Sequence, residues 1–179
     1  NVDLVLDRLF KDINQGVYVD LGCNHPIKYN NTYLLHKKGW CGINVDADKS
    51  SIKLFNTFRN KDYNVNCVLS DKEEIKDFYF YHERSAINTL SKELVNSRKT
   101  KPTKTLKIKS KTLNQILESS PFNLNKINLL SIDVENHEYE VLKNFNFSKY
   151  KIDVIVAECI DLSLKKLEIH NQSLNFVMN

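Results

Sequence analysis

The sequence contains few glycines, no closely spaced cysteines and no long apolar run. Only 4 of its 179 residues are glycine, and none of them forms the G-x-G-x-x-G pattern of a dinucleotide site. No apolar run approaches the roughly 18 residues that cross a bilayer, which excludes an integral membrane protein. The four cysteines lie far apart, at Cys23, Cys41, Cys67 and Cys159. We therefore expect reduced, partly buried thiols in a cytoplasmic protein rather than a zinc site.

The charge balance is mildly positive. The formal net charge is +4, with 27% charged and 41% hydrophobic residues, which is ordinary for a globular protein. A dedicated nucleic-acid binder would concentrate its basic residues on one element, so we predict no nucleic-acid partner. The length favours a single domain over residues 1–179. Nothing in the sequence predicts an oligomeric state.

The first part of the chain alternates between strand and helix patterns. Short apolar runs predict strands at 17–21, 41–46 and 63–70. Between them, 31–38 has the pattern of a helix that Gly39 ends, and Asp48 is placed to cap a second helix. Ile52, Phe55 and Phe58 would share one face of that second helix. Three strands separated by two helices predict a parallel βαβαβ unit.

Residues 72–111 have a different character and predict an inserted segment of strands and loop. The run 75–81 is aromatic and strand-like, and 103–111 alternates between apolar and basic residues as a half-exposed strand does. The polar stretch 84–103 between them predicts a mobile lid or an irregular loop. We expect the lysines of 99–111 to form a solvated face. If they lined the cleft, they would favour an anionic acceptor.

Regular elements return at Thr112, which has capping-box spacing to Gln115. Strands are predicted at 127–135 and 152–158, and helices at 138–143 and within 162–179. The fold class predicted is therefore α/β, with a mainly parallel central sheet and flanking helices. The closing strands that such sheets usually have are not evident, so we expect a domain that lacks its C-terminal strands.

The stretch "VYVDLGCNHP" at 17–26 joins a strand to a turn with an acid and one glycine. Cys23 and Asn24 stand where a phosphate site needs glycine, and Pro26 removes a backbone N–H that a phosphate would use. S-adenosylmethionine has an adenosine but no phosphate, and Asp20 suits its cationic end, while Gly22 suffices to turn the chain. The junction therefore favours a phosphate-free nucleoside.

Acids end the next two predicted strands as well. Asp46 ends the second strand, where a carboxylate can accept hydrogen bonds from ribose hydroxyls. Ser70 and Asp71 end the third strand and could contact the edge of the adenine. Three acids at three successive strand ends strengthen the prediction of a nucleoside site.

Four stretches resemble the FkbM-type methyltransferases: "VDLGCNHPIKYNNTYLLHKKGWCGINVDAD", "LSDKE", "INTLS" and "LLSIDVENHEYEVL". The similarity runs from about residue 15 to 160 and keeps the family's order of motifs. It implies a Rossmann-like class I methyltransferase fold and transfer of a methyl group from S-adenosylmethionine, usually to an oxygen of a sugar or another small molecule. Its implied setting is surface-polysaccharide biosynthesis. The family typically has glycine where this chain has Asn136, and asparagine is the residue that best replaces glycine at positive φ.

The predicted cofactor contacts combine the strand-end pattern with this resemblance. They are Asp20, Gly22, Cys23, Asn24, Asn31, Asp46, Ala47, Ser70 and Asp71. For Asn31 and Thr32 the alternative is simple capping of the helix that they open. Asn88, in "INTLS", is predicted to reach the acceptor on the strength of the resemblance. His25 either faces the mouth of the site or only shapes the turn before Pro26.

The predicted catalytic residues lie in "IDVENHE". In an extended segment Asp133, Glu135 and His137 would be two apart and share one face, at a strand end where open α/β sheets bind ligands. Asp133 would orient the methionine amino group or the acceptor. Glu135 would hold or deprotonate the acceptor, with His137 as a rival base. Alternatively Glu135 caps the following helix and His137 is a solvated first-turn residue.

Other functions are open on the sequence alone. Two carboxylates and an imidazole could hold Mg²⁺ or Mn²⁺, although no third carboxylate is obvious and a metal is not favoured. The domain could bind the cofactor without catalysis. A dehydrogenase is opposed by the missing glycines. We expect a carbohydrate or small-molecule acceptor.

Overall fold

The computed structural model describes residues 2–157 and the backbone of residues 176–178. In chain order the elements are α1 (Val2–Leu9), β1 (Val17–Leu21), α2 (Tyr33–Lys37), β2 (Cys41–Asp46), α3 (Lys49–Phe58), β3 (Tyr63–Asn66), β4 (Val68–Leu69), β5 (Ile75–Phe80), α4 (Lys92–Ser97), β6 (Lys104–Lys111), α5 (Leu113–Glu118), β7 (Lys126–Ile132), α6 (Glu138–Leu142), β8 (Lys151–Ala157) and β9 (Phe176–Met178). Helices and strands alternate from α1 to β3, and two further strands, β4 and β5, then follow before the alternation resumes at α4.

The central sheet has six parallel strands in the order β3-β2-β1-β7-β8-β9. β2 and β3 lie in succession on one side of β1, and the order then reverses, because β7 lies on the other side of β1. This reversal places a topological switch point between β1 and β7, where open α/β sheets bind ligands. The predicted α/β fold, with a mainly parallel central sheet and flanking helices, is confirmed.

Both faces of the sheet are buried, which explains why its strands are continuous apolar runs. On one face Tyr18 and Trp40 pack with Leu6 of α1 and Leu35 of α2. On the other face Val19 and its neighbours pack against α5 and α6. Helix α1 was not predicted from the sequence, although Leu6 is fully buried in it. The indole N–H of Trp40 donates to the carbonyl of Ile13 at 3.1 Å, which fixes the chain that leaves α1.

The helix ends follow the capping residues read from the sequence. Asp48 caps α3 by accepting from the N–H of Ser50, and Thr112 and Gln115 form the complete capping box of α5. Gly39 has φ 94°, as predicted for the residue that stops α2. Helix α2 is shorter than the predicted 31–38. The predicted apolar face of α3 is only partly buried, because Phe58 remains 54% exposed.

The third predicted strand, 63–70, is divided in two. β3 belongs to the central sheet, whereas β4 follows after Cys67 and pairs with β6 in a second sheet of order β4-β6-β5. The N–H of Cys67 donates to the carbonyl of Asp46 at 3.0 Å, so the break lies at the edge of the central sheet. The prediction of one continuous strand was wrong because periodicity alone does not reveal a change of partner.

The second sheet carries the inserted segment predicted at 72–111. β5 and β6 pair in antiparallel register, with Phe80 opposite Lys104. Residues 81–103 connect Phe80 to Lys104. The predicted polar loop is interrupted by α4, whose N-cap residue is Ser91. Lys107 and Lys109 of the lysine row form ion pairs with Asp77 and Glu73. Those lysines lie on the solvated face, as the sequence favoured.

The last part of the described chain differs from the prediction in two places. β7 ends at Ile132 rather than continuing to 135. Phe176–Met178 form a strand that pairs in parallel with β8, whereas a helix was predicted within 162–179. The rest of that predicted helix lies outside the described residues. In the described part of the chain, every helix is too short or too polar to traverse a bilayer.

Candidate functional site

A cavity of about 260 Å³ opens at the carboxyl ends of β1, β2 and β7, beside the switch point of the sheet. The turns after these strands form one side of it, and the inserted segment forms the other. Its lining residues are Gly22, Asn24, Val45, Asp46, Ala47, Asp48, Ser51, Cys67, Val68, Leu69, Phe78, Arg84, Ser85, Ala86, Asn88, Thr89, Leu90, Asp133, Val134 and Glu135. The cavity therefore combines an apolar wall with several carboxylates, as small-molecule sites commonly do.

The turn after β1 follows a path that only glycine allows. Gly22 has φ 75°, and its N–H donates to the carbonyl of Val45 at 2.9 Å. Asn24 also has positive φ, 49°, which asparagine tolerates better than other side chains. Cys23 points away from the cavity and packs against Ile52 and Phe55 of α3. Gly22 and Asn24 thus line the cavity, while the thiol between them belongs to the core.

Asp46 holds the junction of β1 and β2 at the cavity wall. One carboxylate oxygen accepts from the N–H of Asn24 at 2.8 Å, and the other accepts from the N–H of Asp48 at 2.7 Å. Burial raises the pKa of Asp46 to about 6, against the two backbone hydrogen bonds, which lower it. The side chain is therefore ionised at neutral pH but close enough to its pKa to take up a proton in mild acid.

The segment after β7 is a turn, not the extended strand that the sequence predicted. Glu135 and Asn136 both have positive φ, 55° and 68°. Two left-handed residues in succession reverse the chain, so side chains two apart no longer share a face. Asn136 therefore supports the turn, as predicted for the residue that replaces glycine. The predicted alignment of Asp133, Glu135 and His137 on one face was wrong. Asp133 and Glu135 line the cavity, whereas His137 does not.

Glu135 is tied to the inserted segment. A carboxylate oxygen accepts from the guanidinium of Arg98 at 2.5 Å, and the backbone carbonyl of Glu135 accepts from the hydroxyl of Thr89 at 2.9 Å. The N-cap residue of α6 is His137 rather than Glu135, and Glu138 accepts from the N–H of Val134 at 3.0 Å. Arg98 was not identified from the sequence, where it stands in a polar stretch without a motif.

Asp20 lies beneath the cavity in a buried polar network. Its carboxylate accepts from the amide of Asn30 at 2.9 Å and from the hydroxyl of Thr32 at 2.8 Å. Arg59, which is 1% exposed, donates to both Asn30 and Thr32 and to the carbonyl of Pro26. Burial raises the pKa of Asp20, and the nearby Arg59 opposes that rise. Asp20 is not among the cavity-lining residues, and its part in cofactor binding stays a prediction.

Arg59 is a second residue that sequence reasoning missed. It follows the last turn of α3, where a charged residue normally reaches solvent. Here its guanidinium is stacked near the ring of Phe55, 5.0 Å from the centroid, and fixes the loop after β1 through Pro26. Thr32 is the N-cap residue of α2 but makes no capping bond, because its hydroxyl is bonded to Asp20. Asn31 donates to the hydroxyl of Ser131 on β7 at 3.2 Å.

Ser70, Asp71 and His137 form a cluster away from the cavity. The hydroxyl of Ser70 donates to Asp71 and lies 3.3 Å from Nε2 of His137. Asp71 forms an ion pair with Lys143 at 2.9 Å. Burial, with Lys76 nearby, lowers the pKa of His137 to about 4, so the imidazole is neutral at pH 7. The structure therefore does not bring the predicted adenine contacts or the rival base to the cavity wall.

His25 and Asn88, the two predicted acceptor contacts, are both engaged in local hydrogen bonds. Nδ1 of His25 accepts from the N–H groups of Ile27 and Lys28, each at 3.1 Å, so this ring shapes the turn. Asn88 lines the cavity, but its side chain accepts from the N–H of Tyr81 and donates to the carbonyl of His82. Neither acceptor contact is tested by this geometry.

The cavity wall combines apolar and acidic residues. Among the described residues, no group of three or more histidine, cysteine or acidic side chains is arranged to hold a metal. Val45, Leu69 and Phe78 offer apolar surface to a flat ring. Asp46 and Asp133 line the cavity at the ends of β2 and β7, the two strands that flank β1. Such a surface can bind a base, hydroxyl groups and a positive charge together.

Comparison with known families supports one interpretation of this cavity. A family model described as "Methyltransferase FkbM domain" matches residues 20–172, which is more than half of the chain. The matched range begins at Asp20 and contains every cavity-lining residue. Neither the curated proteins nor the solved structures gave a significant match.

Proposed function

This chain belongs to the FkbM methyltransferase family, and we propose from that premise that it transfers a methyl group from S-adenosylmethionine to a hydroxyl oxygen. The acceptor we propose is a sugar or a glycan-linked small molecule in surface-polysaccharide biosynthesis. The observation that carries the proposal is that Gly22, Asp46, Asp133 and Glu135 line one cavity at the switch point of the sheet. Gly22, Asp46 and Asp133 would serve the cofactor, and Glu135 beside them would serve the acceptor.

The residues of the cavity fit the cofactor chemically. S-adenosylmethionine supplies an electrophilic methyl carbon on a sulfonium. Asp46 would accept hydrogen bonds from ribose hydroxyls, and Asp133 would bind the amino group of the methionine end. The apolar wall around Phe78 would hold the adenine. The turn at Gly22, with Pro26 close behind, offers no cradle of backbone N–H groups for a pyrophosphate, which disfavours a dinucleotide.

Glu135 is the group that we propose acts on the acceptor. A hydroxyl becomes a competent nucleophile when a positioned base accepts its proton. Glu135 lies in the cavity wall, and its ion pair with Arg98 fixes the position of the carboxylate. His137 lacks a place in that wall, so we assign the acceptor role to Glu135 alone. Residues 84–90 of the inserted segment face the same cavity and would contact the acceptor.

We propose that this reaction takes place in the cytoplasm. The cofactor is a cytoplasmic metabolite, and the described cysteines Cys23, Cys41 and Cys67 are free thiols, as the cytoplasm maintains.

The test separates the two roles by calorimetry and turnover. Asp46→Ala should weaken binding of S-adenosylhomocysteine because it removes the acceptor for the ribose hydroxyls. Glu135→Gln keeps a partner for Arg98 and should leave that binding unchanged while turnover falls by about a hundredfold or more, as expected for loss of a general base. Equal loss of binding in both variants would contradict the assigned roles.

Two controls address the competing functions. Titration with NAD should give no heat, and tight binding of NAD would overturn the choice of cofactor. Mass spectrometry of glycans from cells with and without the gene should show a species that differs by one methylene group. If the protein binds S-adenosylhomocysteine but methylates nothing in glycan extracts, a binding-only domain is the better description.

A further inference from the structure

Among the described residues, the lining of the cavity includes several acidic side chains and one basic side chain. Asp46, Asp48, Asp133 and Glu135 contribute carboxylates to its wall. Arg84 is the sole lysine or arginine among the cavity-lining residues described above. Arg98 is outside this lining and already neutralises Glu135. These acids suit the positive charge of S-adenosylmethionine, whereas Arg84 is the one cation among the described lining residues that could pair with an anionic group of a ligand.

The backbone of Arg84 is fixed in an unusual conformation. Its φ is 54°, in the left-handed region that a residue with a side chain rarely adopts. Its N–H donates to a carboxylate oxygen of Asp48 at 2.5 Å. Asp48 is 7% exposed, and its other oxygen caps α3, so this anchor is itself immobile. Unfavourable backbone held in place by its surroundings often marks a position selected for function.

The side chain of Arg84 is free to bind a ligand. Over residues 2–157 its guanidinium has no hydrogen bond and no ion pair, and the residue is exposed. The arginines that have a structural role in this fold differ in this respect. Arg59 is buried and donates to Thr32 and Asn30, and Arg98 is paired with Glu135. Arg84 therefore combines a fixed backbone with a guanidinium that is always ionised and whose N–H groups are available to a ligand.

We propose that Arg84 binds a carboxylate of a ligand in the cavity. This inference rests on the proposed function and adds a binding residue to it. A guanidinium pairs with a carboxylate through two parallel hydrogen bonds, which fixes orientation as well as charge. A singly charged carboxylate also suits this wall better than a phosphate dianion, because Asp46 and Asp133 repel the larger charge more strongly. The carboxylate belongs either to the methionine end of the cofactor or to an acidic sugar acceptor.

Glycine is the informative substitution at position 84. Arg84→Gly removes the guanidinium while keeping the backbone, since glycine adopts positive φ readily and retains the N–H to Asp48. The thermal midpoint of this variant should equal or exceed that of the wild type. Arg84→Asn is a second variant, because asparagine also tolerates positive φ but is less flexible than glycine. It shows whether any loss of binding in Arg84→Gly comes from the added flexibility of the backbone. Glu83→Gln removes a charge from the adjacent exposed residue, outside this cavity, and serves as the matched control.

Two ligands that differ in the carboxylate distinguish its source. S-adenosylhomocysteine has the amino-acid end, and 5′-methylthioadenosine lacks it. Arg84→Gly and Arg84→Asn should each weaken S-adenosylhomocysteine by about tenfold to a hundredfold, the range for a charge-assisted pair, and leave methylthioadenosine unchanged. That result assigns the carboxylate to the cofactor.

The second arm uses glucuronic acid and glucose as paired acceptor probes. If both nucleoside ligands bind the variants normally but the preference for glucuronic acid over glucose disappears, the carboxylate belongs to the acceptor. If neither nucleoside affinity nor acceptor preference changes, or if both nucleosides weaken equally, Arg84 does not bind a carboxylate and the inference is overturned. Failure of the wild type to bind either nucleoside would instead overturn the proposed function, and this inference with it.

Discussion

The carbonyl oxygen of Asp133 occupies the space that a side chain on Gly22 would need. A Cβ added to Gly22 would stand 1.7 Å from that oxygen, far inside van der Waals contact. The N–H of Asp133 in turn donates to the carbonyl of Leu21 at 2.9 Å. The ends of β1 and β7 are therefore in direct backbone contact at the base of the cavity. This contact explains why the junction keeps one glycine although it has lost the others of a dinucleotide loop.

Gly22→Ala should destabilise the protein strongly. The substitution adds left-handed strain to a collision with backbone, and together these should lower the free energy of unfolding by about 3 to 5 kcal/mol. Chemical denaturation measures the effect. Gly39→Ala is the matched control, because φ is also positive there, at 94°, but no atom lies within 4 Å of the added Cβ. A Gly22→Ala loss no larger than that of Gly39→Ala would contradict the collision.

Binding of S-adenosylhomocysteine should weaken as the pH falls through about 6, the pKa of Asp46. Ribose hydroxyls donate to a carboxylate, and the protonated acid is a poorer acceptor. Calorimetry between pH 5 and 8 measures the dependence. Asp46→Asn should bind more weakly at pH 7.5 and lose most of the pH dependence. A profile unchanged by this substitution would exclude Asp46 as its source.

The raised pKa of Asp46 also affects how the free energy of unfolding depends on pH. An acid whose pKa is lowered by an ion pair makes the protein more stable as the pH rises, whereas Asp46 should have the opposite effect. Asp46 binds a proton more tightly in the folded chain, with a pKa of about 6, than at the reference value of 3.8. Its contribution to the free energy of unfolding therefore falls as the pH rises between these two values. Asp46→Asn should remove this contribution, which urea titrations at several pH values would show.

Arg98→Gln should lower turnover by about tenfold while changing the affinity for S-adenosylhomocysteine little. Arg98 orients Glu135 and does not line the cavity, so its loss should act through that carboxylate. In a double-mutant cycle with Glu135→Gln, the two changes should be coupled by about 1 to 3 kcal/mol. Lys99→Gln, at the adjacent exposed position, is the control. Additive effects would mean that the ion pair does not serve catalysis.

Ser51→Ala should leave the unliganded protein as stable as the wild type or make it more stable by up to about 1 kcal/mol. Ser51 is fully buried in α3, and its hydroxyl has no hydrogen-bond partner among the described residues. Removal of an unsatisfied hydroxyl costs nothing in hydrogen bonding. Ser110→Ala provides the contrast, because that buried hydroxyl bonds Lys72 and Glu74. Thermal denaturation should show a loss for Ser110→Ala only.

The parts of the fold that local chemistry determines were predictable. The strands 17–21 and 41–46, the Asp48 cap and the capping box at Thr112 match the structure because apolar runs and capping side chains act over a few residues. The break at Cys67 was missed because the two halves of that stretch have different tertiary partners. The turn at Glu135 was missed because a left-handed glutamate has no sequence signature.

The candidate site was predictable to the extent that it depends on strand ends. Asp46 and Asp133 follow strands of one parallel sheet, so their meeting could be inferred from order alone. The same inference was wrong for Asp71. It follows β4, which belongs to the second sheet, and its side chain pairs with Lys143. Arg98 and Arg84 could not be found this way, since both lie in a segment whose position depends on long-range contacts with Glu135 and Asp48.

The antiparallel pairing of β5 with β6 brings the two ends of segment 81–103 to neighbouring residues, Phe80 and Lys104. A chain that leaves and re-enters a scaffold at one place can be lengthened, shortened or replaced at little cost in closure entropy. The register of the six parallel strands does not depend on what is inserted there. One wall of the cavity can therefore diverge, or be grafted from a relative, while the opposite wall stays the same.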